Sequence, residues 1–145
     1  MTSMRYPAIV TRAGSHELAE FPDCPGCQTF VRRGEDLAAT AAEALEGWLE
    51  ASLAHGDVPV PPTPRPAPPK GGHILWVSVP APLAAAIALR CARQEANLSQ
   101  ARLGARIGVS QQQIAKMERA TGNVSLATLE KVAKALGRSV RVDLV

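Results

Sequence analysis

Along the first third of the chain, apolar residues fall in short, roughly alternating runs. Met4–Arg12 is rich in β-formers around Ile9, Val10 and Thr11, Ala13-Gly14-Ser15 reads as a turn, and His16–Phe21 and Gln28–Arg32 are two further short runs. Together they predict a small antiparallel meander of three strands. The period then changes. Over about 36–54, Leu37, Ala41, Ala44, Leu45, Trp48 and Ser52 form a stripe at helical spacing, Glu43, Glu46 and Glu50 lie on the other face, and Gly56 stands where a helix stops. His73–Val79 (HILWVSV) is β-branched and apolar, too short for a helix between Gly72 and Pro80, and predicts a strand returning to the meander. From Ala84 the helical period continues to Gly137. It predicts helices over 84–96, from a Ser99 cap to about Ile107, from Gln111 to about Arg119, and from a Ser125 cap to Gly137. Ser139–Leu144 alternates again and predicts a closing strand.

Residues 58–70 read VPVPPTPRPAPPK, a stiff polyproline-like connection unable to enter a helix interior or a central strand. A ligand for a proline-binding domain is the other use of such a segment, and a spacer is the simpler one. With a strand following it, the segment is an excursion inside a front domain, and the boundary falls near Pro80–Pro82. The expected domains are therefore 1–82 and 83–145. Charge divides the chain the same way. Residues 1–57 set four arginines against nine carboxylates, −5; residues 58–80 carry +2; residues 81–145 set ten cations against four carboxylates, +6. A basic partner suits the front and a polyanion the back. Apolar residues make up 46% of the 145 and aromatic residues 3%, so the cores are built from Ala, Leu, Val and Ile. There is no apolar run long enough to span a membrane and no basic-then-apolar leader pattern, and three cysteines do not make a disulfide framework. We expect a cytoplasmic protein.

The chemistry concentrates in LSQARLGARIGVSQQQIAKMERA. Leu98, Leu103, Ile107, Val109, Ile114 and Met117 pack two helices together, and Gly108 permits the left-handed turn between them. Ser110 with Gln113 is a capping box that fixes where the next helix begins. Gln111 and Gln112 then occupy the first exposed turn, and Gln112, Lys116 and Arg119 follow on one face. Glutamine can donate to and accept from adenine at once, lysine can donate to guanine or phosphate, and Gln100 at a helix start can hold a phosphate. Arg102, Gln113 and Asn123 join these as candidate contacts, with Arg90, Arg106, Lys131 and Arg138 supplementing the field. A solvated polar surface is the plain alternative for the glutamine triplet. This segment resembles the helix-turn-helix of phage repressor and Cro proteins through Leu98-Ser99-Gln100, Leu103, Ile107-Gly108-Val109-Ser110, Ile114, Glu118, Leu129, Ala133 and Ala135-Leu136-Gly137. The resemblance implies base reading by Gln111, Gln112 and Lys116, a pair between Arg93 and Glu118, and an Ala where this chain has Gly104, which should loosen the second helix.

The front half carries Phe21-Pro22-Asp23-Cys24-Pro25-Gly26-Cys27, read as an exposed kinked loop, after Tyr6-Pro7-Ala8 and before Glu35-Asp36-Leu37 and the Ala-rich helix. Together these resemble the HicB antitoxin family, with Cys24 where Leu is usual in the loop. The resemblance implies an α+β, partial RNase H-like front domain (meander, helix, returning strand) followed by an all-α helix-turn-helix domain with its C-terminal strand. It also implies an antitoxin that neutralises a HicA-type mRNA-cleaving toxin and represses its own operon as a homodimer or higher oligomer on double-stranded operator DNA. Phe21, Pro22, Asp23, Glu43, Glu46 and Glu50 are the candidate toxin contacts, and Ser139–Val145 the candidate dimerisation strand. No catalytic residue, metal or cofactor is expected. Cys24-x-x-Cys27 lacks the helix-opening context of a redox pair and further ligands for zinc. Two-metal nuclease chemistry needs clustered carboxylates; Glu17, Glu20 and Asp23 lie near a strand end, but the half-fold is too short to converge them. Trp48 and Trp76 read as core aromatics and His16 and His55 as surface residues. The rival function is a stand-alone repressor whose front domain senses a small ligand; a neighbouring gene for a short basic protein would decide against it.

Overall fold

The computed structural model describes residues 4–119, 121 and 123–144. The chain forms two units, Met1–Ala81 and Pro82–Val145. In the first, β1 (Arg5–Ala13), β2 (His16–Glu20), β3 (Gln28–Arg32) and β4 (His73–Ser78) make one sheet in the order β3-β2-β1-β4. Every pairing is antiparallel, with Val10 opposite both Ala19 and His73, and Leu18 opposite Phe30. The HILWVSV segment thus does return to the meander, beside β1. Alternation decides the faces: Tyr6, Ala8, Val10, Ala19, Val31 and Val77 share one side and are buried.

Helix α1 (Leu37–Ala54) connects β3 to β4 and packs on the sheet. Its N-cap is Asp36, whose carboxylate accepts from the Ala39 N–H at 3.1 Å. The buried stripe is Ala41, Leu45, Leu49, Ser52 and Leu53. It is rotated from the expected one: Leu37, Ala44 and Trp48 are only half-buried, whereas Leu49 and Leu53 point inward. The indole explains the rotation. Trp48 Nε1 donates to the Pro25 carbonyl at 3.1 Å, which requires the ring at the rim. Trp76 is likewise no core aromatic. Its neighbour Val77 takes the inward position, and Arg5 lies over the Trp76 ring at 4.9 Å.

The proline-rich segment is laid against its own unit. The Tyr6 hydroxyl donates to the Val60 carbonyl at 2.8 Å, Asp23 accepts from the Thr63 N–H at 2.8 Å and from its hydroxyl at 2.5 Å, and Pro59 is buried. A segment with few N–H groups cannot join the sheet, so it is held by its carbonyls and by the one threonine within it.

The second unit contains α2 (Ala81–Glu95), α3 (Gln100–Ile107), α4 (Gln111–Met117) and α5 (Leu126–Ala135). Helix α2 starts three residues earlier than the pattern indicated, with Pro82 in the first turn, where its missing N–H costs nothing. Leu89, Leu98, Leu103, Ile107, Ile114 and Val132 form the core, with Val109, Met117, Ala135 and Leu136 packed against it. Each fully buried Leu or Ile contributes about 1.5–3 kcal/mol. Helix α5 closes with a Schellman turn: Gly137 sits at φ +69°, its N–H bonds the Lys134 carbonyl, and the Arg138 N–H bonds the Ala133 carbonyl at 2.8 Å. The expected strand after it does not form among the described residues. Residues 139–144 are irregular, and the sheet's ladders run only among β1–β4. A strand exists only when paired, and this unit offers the segment no edge. Val145 lies outside the described residues.

Candidate nucleic-acid interface

The presenting surface is built from two capped helices and a tight turn. Ser99 accepts from the Arg102 N–H at 3.1 Å and starts α3. Gly108, at φ +75°, ends it, and the Val109 N–H returns to the Gly104 carbonyl at 2.9 Å. Ser110 accepts from the Gln113 N–H at 3.1 Å while the Gln113 side chain accepts from the Ser110 N–H at 2.9 Å, so the capping box read from the sequence is complete. Gly104 has a different role from the one expected. A Cβ there would lie 2.5 Å from the Val109 carbonyl oxygen, so its bareness lets the turn close onto α3.

Beneath this surface lies a buried ionic cluster. Glu118, the C-cap of α4, is wholly buried. Arg93 grips it with both ends, Nε to Oε1 at 2.5 Å and Nη2 to Oε2 at 3.1 Å, and Arg93 Nη1 donates to the Leu98 carbonyl at 2.7 Å. The Arg93–Glu118 pair implied by the family resemblance is therefore present. Two members of the cluster were placed elsewhere from sequence. Arg90, read as surface charge, is buried with Nε 3.5 Å from Glu118 Oε2. Gln100, read as a phosphate contact, is half-buried and donates to Glu118 Oε2 at 2.8 Å. The signal for Arg90 was its i, i+3 relation to Arg93, which puts both on the inward face of α2. The cluster ties the end of α4 to α2 and to the first residue of α3.

What remains outward is specific. Gln111, Gln112, Lys116, Arg102, Arg106, Arg119, Asn123 and Lys131 are exposed. Gln113 is exposed too, but its amide oxygen is committed to the cap. Arg119 lies past the end of α4, not on its last turn, because the helix stops at Met117; its N–H still bonds the Lys116 carbonyl at 3.2 Å. Arg138 is paired to Glu95. A groove of about 420 Å³ beside α4 is lined by Gln113, Lys116, Asn123 and Ser125, with Val109 and Met117 at its floor.

The candidate toxin contacts of the first unit divide in two. Phe21 is core, and both carboxylate oxygens of the half-buried Asp23 accept from Thr63. Pro22, Glu43 and Glu50 are exposed and Glu46 is half-buried. The loop 21–27 is closed on itself, Phe21 N–H to the Cys27 carbonyl at 3.0 Å and Cys27 N–H to the Cys24 carbonyl at 2.9 Å. Its prolines and Gly26 are exposed, but Cys24 and Cys27 are buried, and the Cys27 thiol donates to the Ala44 carbonyl at 3.5 Å. Burial first, then the neighbouring Cys27 and Asp23, raise the Cys24 thiol to about 12, and burial raises Cys27 as well. These are packing thiols, far from the thiolate a redox pair needs.

Residues 89–142 match the helix-turn-helix family model, and this part of the chain is a helix-turn-helix domain. No curated protein matches the sequence. Among solved structures, a chain of the HicA3 and HicB3 toxin–antitoxin complex aligns with 24% identity and a TM-score of 0.42, over 53% of this chain and 99% of that one. Among the described residues no helix is long and apolar enough to cross a membrane.

Proposed function

We propose that this chain is a HicB-type antitoxin that represses its own operon. Its helix-turn-helix domain would read operator DNA and its partial RNase H-like front domain would cover a HicA-type mRNA-cleaving toxin. The observation that carries the DNA half is the outward set on α4. Gln111, Gln112 and Lys116 project from a helix whose start is fixed by a capping box and whose end is fixed by Glu118. Rigid placement of this kind turns an exposed amide into a base reader. Arg102, Arg106, Arg119, Lys131 and Asn123 surround it with phosphate-binding donors. Gln100 and Gln113 act behind this face, orienting it. Such domains bind two half-sites about one helical turn apart, so the working form is a dimer or a higher oligomer.

The toxin half rests on the front sequence pattern and on charge. The acidic row of exposed Glu43 and Glu50 and half-buried Glu46 on α1, with exposed Pro22 on the loop that Trp48 clamps to that helix, suits a small basic nuclease. The protein works in the cytoplasm, where both operator and mRNA are found. Co-expression of the full chain with whatever short protein the adjacent gene encodes, and with a HicA-type toxin, tests this. The expected result is co-purification and rescue of growth. An adjacent gene product that neither binds the chain nor is neutralised by it would sink the toxin half and leave the DNA half standing.

A further inference from the structure

Helix α2 turns two arginines, one turn apart, onto one carboxylate. Arg90 and Arg93 are both buried, and Glu118 is wholly buried. Arg93 already answers that carboxylate, with Nε on Oε1 and Nη2 on Oε2. A second buried guanidinium is more than the charge of Glu118 requires, and burying it costs desolvation that an apolar side chain would not. What Arg90 adds is a contact to the backbone.

Each arginine donates to a main-chain carbonyl, and the two carbonyls stand at opposite ends of the helix-turn-helix. Arg93 Nη1 reaches the Leu98 carbonyl at 2.7 Å, just before the Ser99 cap, where the chain enters α3. Arg90 Nη2 reaches the Glu118 carbonyl at 3.4 Å, where the chain leaves α4. The last carbonyls of a helix have no partner within it and carry its negative partial charge, so a cation is favoured there. A helix of seven residues gains little from its own cooperativity, and its last turn depends on contacts from outside. Beyond Glu118 come Arg119 and, further on, Asn123, both exposed donors, before Ser125 caps α5. The Arg119 N–H bonds the Lys116 carbonyl at 3.2 Å, so Arg119 moves with the exit. Gln111 and Gln112 lie at the other end of α4, where the capping box fixes them without help from Arg90.

We propose that Arg90 is a positioning residue: by holding the exit of α4 it sets Arg119 and Asn123 against DNA phosphate, while the base-reading side chains are placed by the capping box. This rests on the DNA-binding reading and divides that surface into two ends under separate control.

The test uses the full chain, a duplex that it selects from a random pool, and a scrambled duplex beside it. Arg90→Met removes the donors and keeps an apolar stem. It should weaken binding to both duplexes alike, roughly tenfold, and lower the slope of log affinity against log salt by about one. The ratio between the two duplexes should hold within about twofold. A general loosening of the domain would cut that ratio along with the affinity. Arg90→Lys, which keeps the charge as a single point donor, should lie between Arg90→Met and the parent in affinity and in slope. Combined variants show the route. Adding Arg90→Met to the pair Arg119→Ala and Asn123→Ala should cost no more than about a further twofold, because Arg90 acts through those donors. Adding it to Arg102→Ala should multiply the two losses. Multiplied losses in both combinations, a ratio that falls with affinity, or affinity and slope left at the parent values overturns the proposal. Amide exchange without DNA separates it from the reading it rests on. In Arg90→Met the Arg119 amide should exchange at least about tenfold faster, while the Ile114 amide, bonded to the Ser110 carbonyl, keeps its rate. Faster exchange at Arg119 in a chain that binds no duplex upholds the hold on the exit and overturns the DNA reading. Unchanged exchange in a chain that binds duplexes overturns the role of Arg90 and leaves the DNA reading standing.

Discussion

Glu118 holds the helix-turn-helix together by a charge that cannot be removed cheaply. Its wholly buried carboxylate meets Arg93 bidentately, has Arg90 beside it and accepts from the half-buried Gln100. Glu118→Gln keeps the shape but takes the counter-charge from the buried Arg93 guanidinium it holds bidentately. Removing one partner of a buried pair costs about 3–5 kcal/mol, and a loss of that order is expected in urea denaturation. A change below ~1 kcal/mol would mean that the arginines can turn to solvent. The outward residues follow different physics. Gln112→Ala should relax preference at one base position by roughly 1–3 kcal/mol. Arg102→Ala should weaken all sequences alike and lower the salt slope. Binding measured on matched and mismatched duplexes over a salt series separates the two, and identical responses would remove Gln112 from base reading.

At the scale of elements, the turn between α3 and α4 shows where close approach overrides propensity. Alanine is the better helix former by about 1 kcal/mol, yet a Cβ at 104 would press on backbone, the Val109 carbonyl oxygen at 2.5 Å. Gly104→Ala is expected to lower the Tm in spite of the propensity gain; a rise would show that the turn can give way. The loop 21–27 makes a second prediction. Because burial raises the Cys24 thiol to about 12 from the ordinary 9.0, the folded form favours the neutral thiol. Its stabilisation is complete below about pH 9 and is lost as pH climbs from there toward 12. The Tm should fall across that window, and Cys24→Ala should make it fall less steeply. The same elements show what the sequence makes legible. Caps and turns at Ser99, Gly108, Ser110, Ser125 and Gly137 are local, so reading their residues was sufficient. Deciding that Leu49 rather than Trp48 faces the sheet, or that Arg90 turns inward, requires knowing what lies across the interface. Residues 139–144 were legible as an alternating pattern but form no strand, since the described residues of this unit offer them no sheet edge to pair with.

At the scale of the whole molecule, two units of opposite charge share one chain, −5 over residues 1–57 and +6 over residues 81–145. Burial sharpens what each offers. In the second unit Arg90 and Arg93 are engaged by Glu118 and Arg138 by Glu95, so the exposed basic surface rests on Arg102, Arg106, Lys116, Arg119 and Lys131, with Lys134 and Arg141 beyond them. In the first, Asp23 is spent on Thr63, and the exposed acidic row of α1 remains. If that row receives a basic toxin, Glu43→Lys with Glu50→Lys should reverse its field there, slow association and raise the dissociation constant, with the largest effect at low salt because exposed charges are screened within about 10 Å at 0.1 M. Neither residue belongs to the sheet core, so the Tm should hold within about 0.5 kcal/mol-equivalent of the parent. If Gln112 reads a base, the DNA preference should be untouched, since base contacts rather than net charge set preference. Toxin binding by calorimetry and DNA binding by titration, each at two salt concentrations, give the check. An unchanged toxin affinity would move the contact off α1, leaving the exposed Pro22 edge of the loop as the surface to test next.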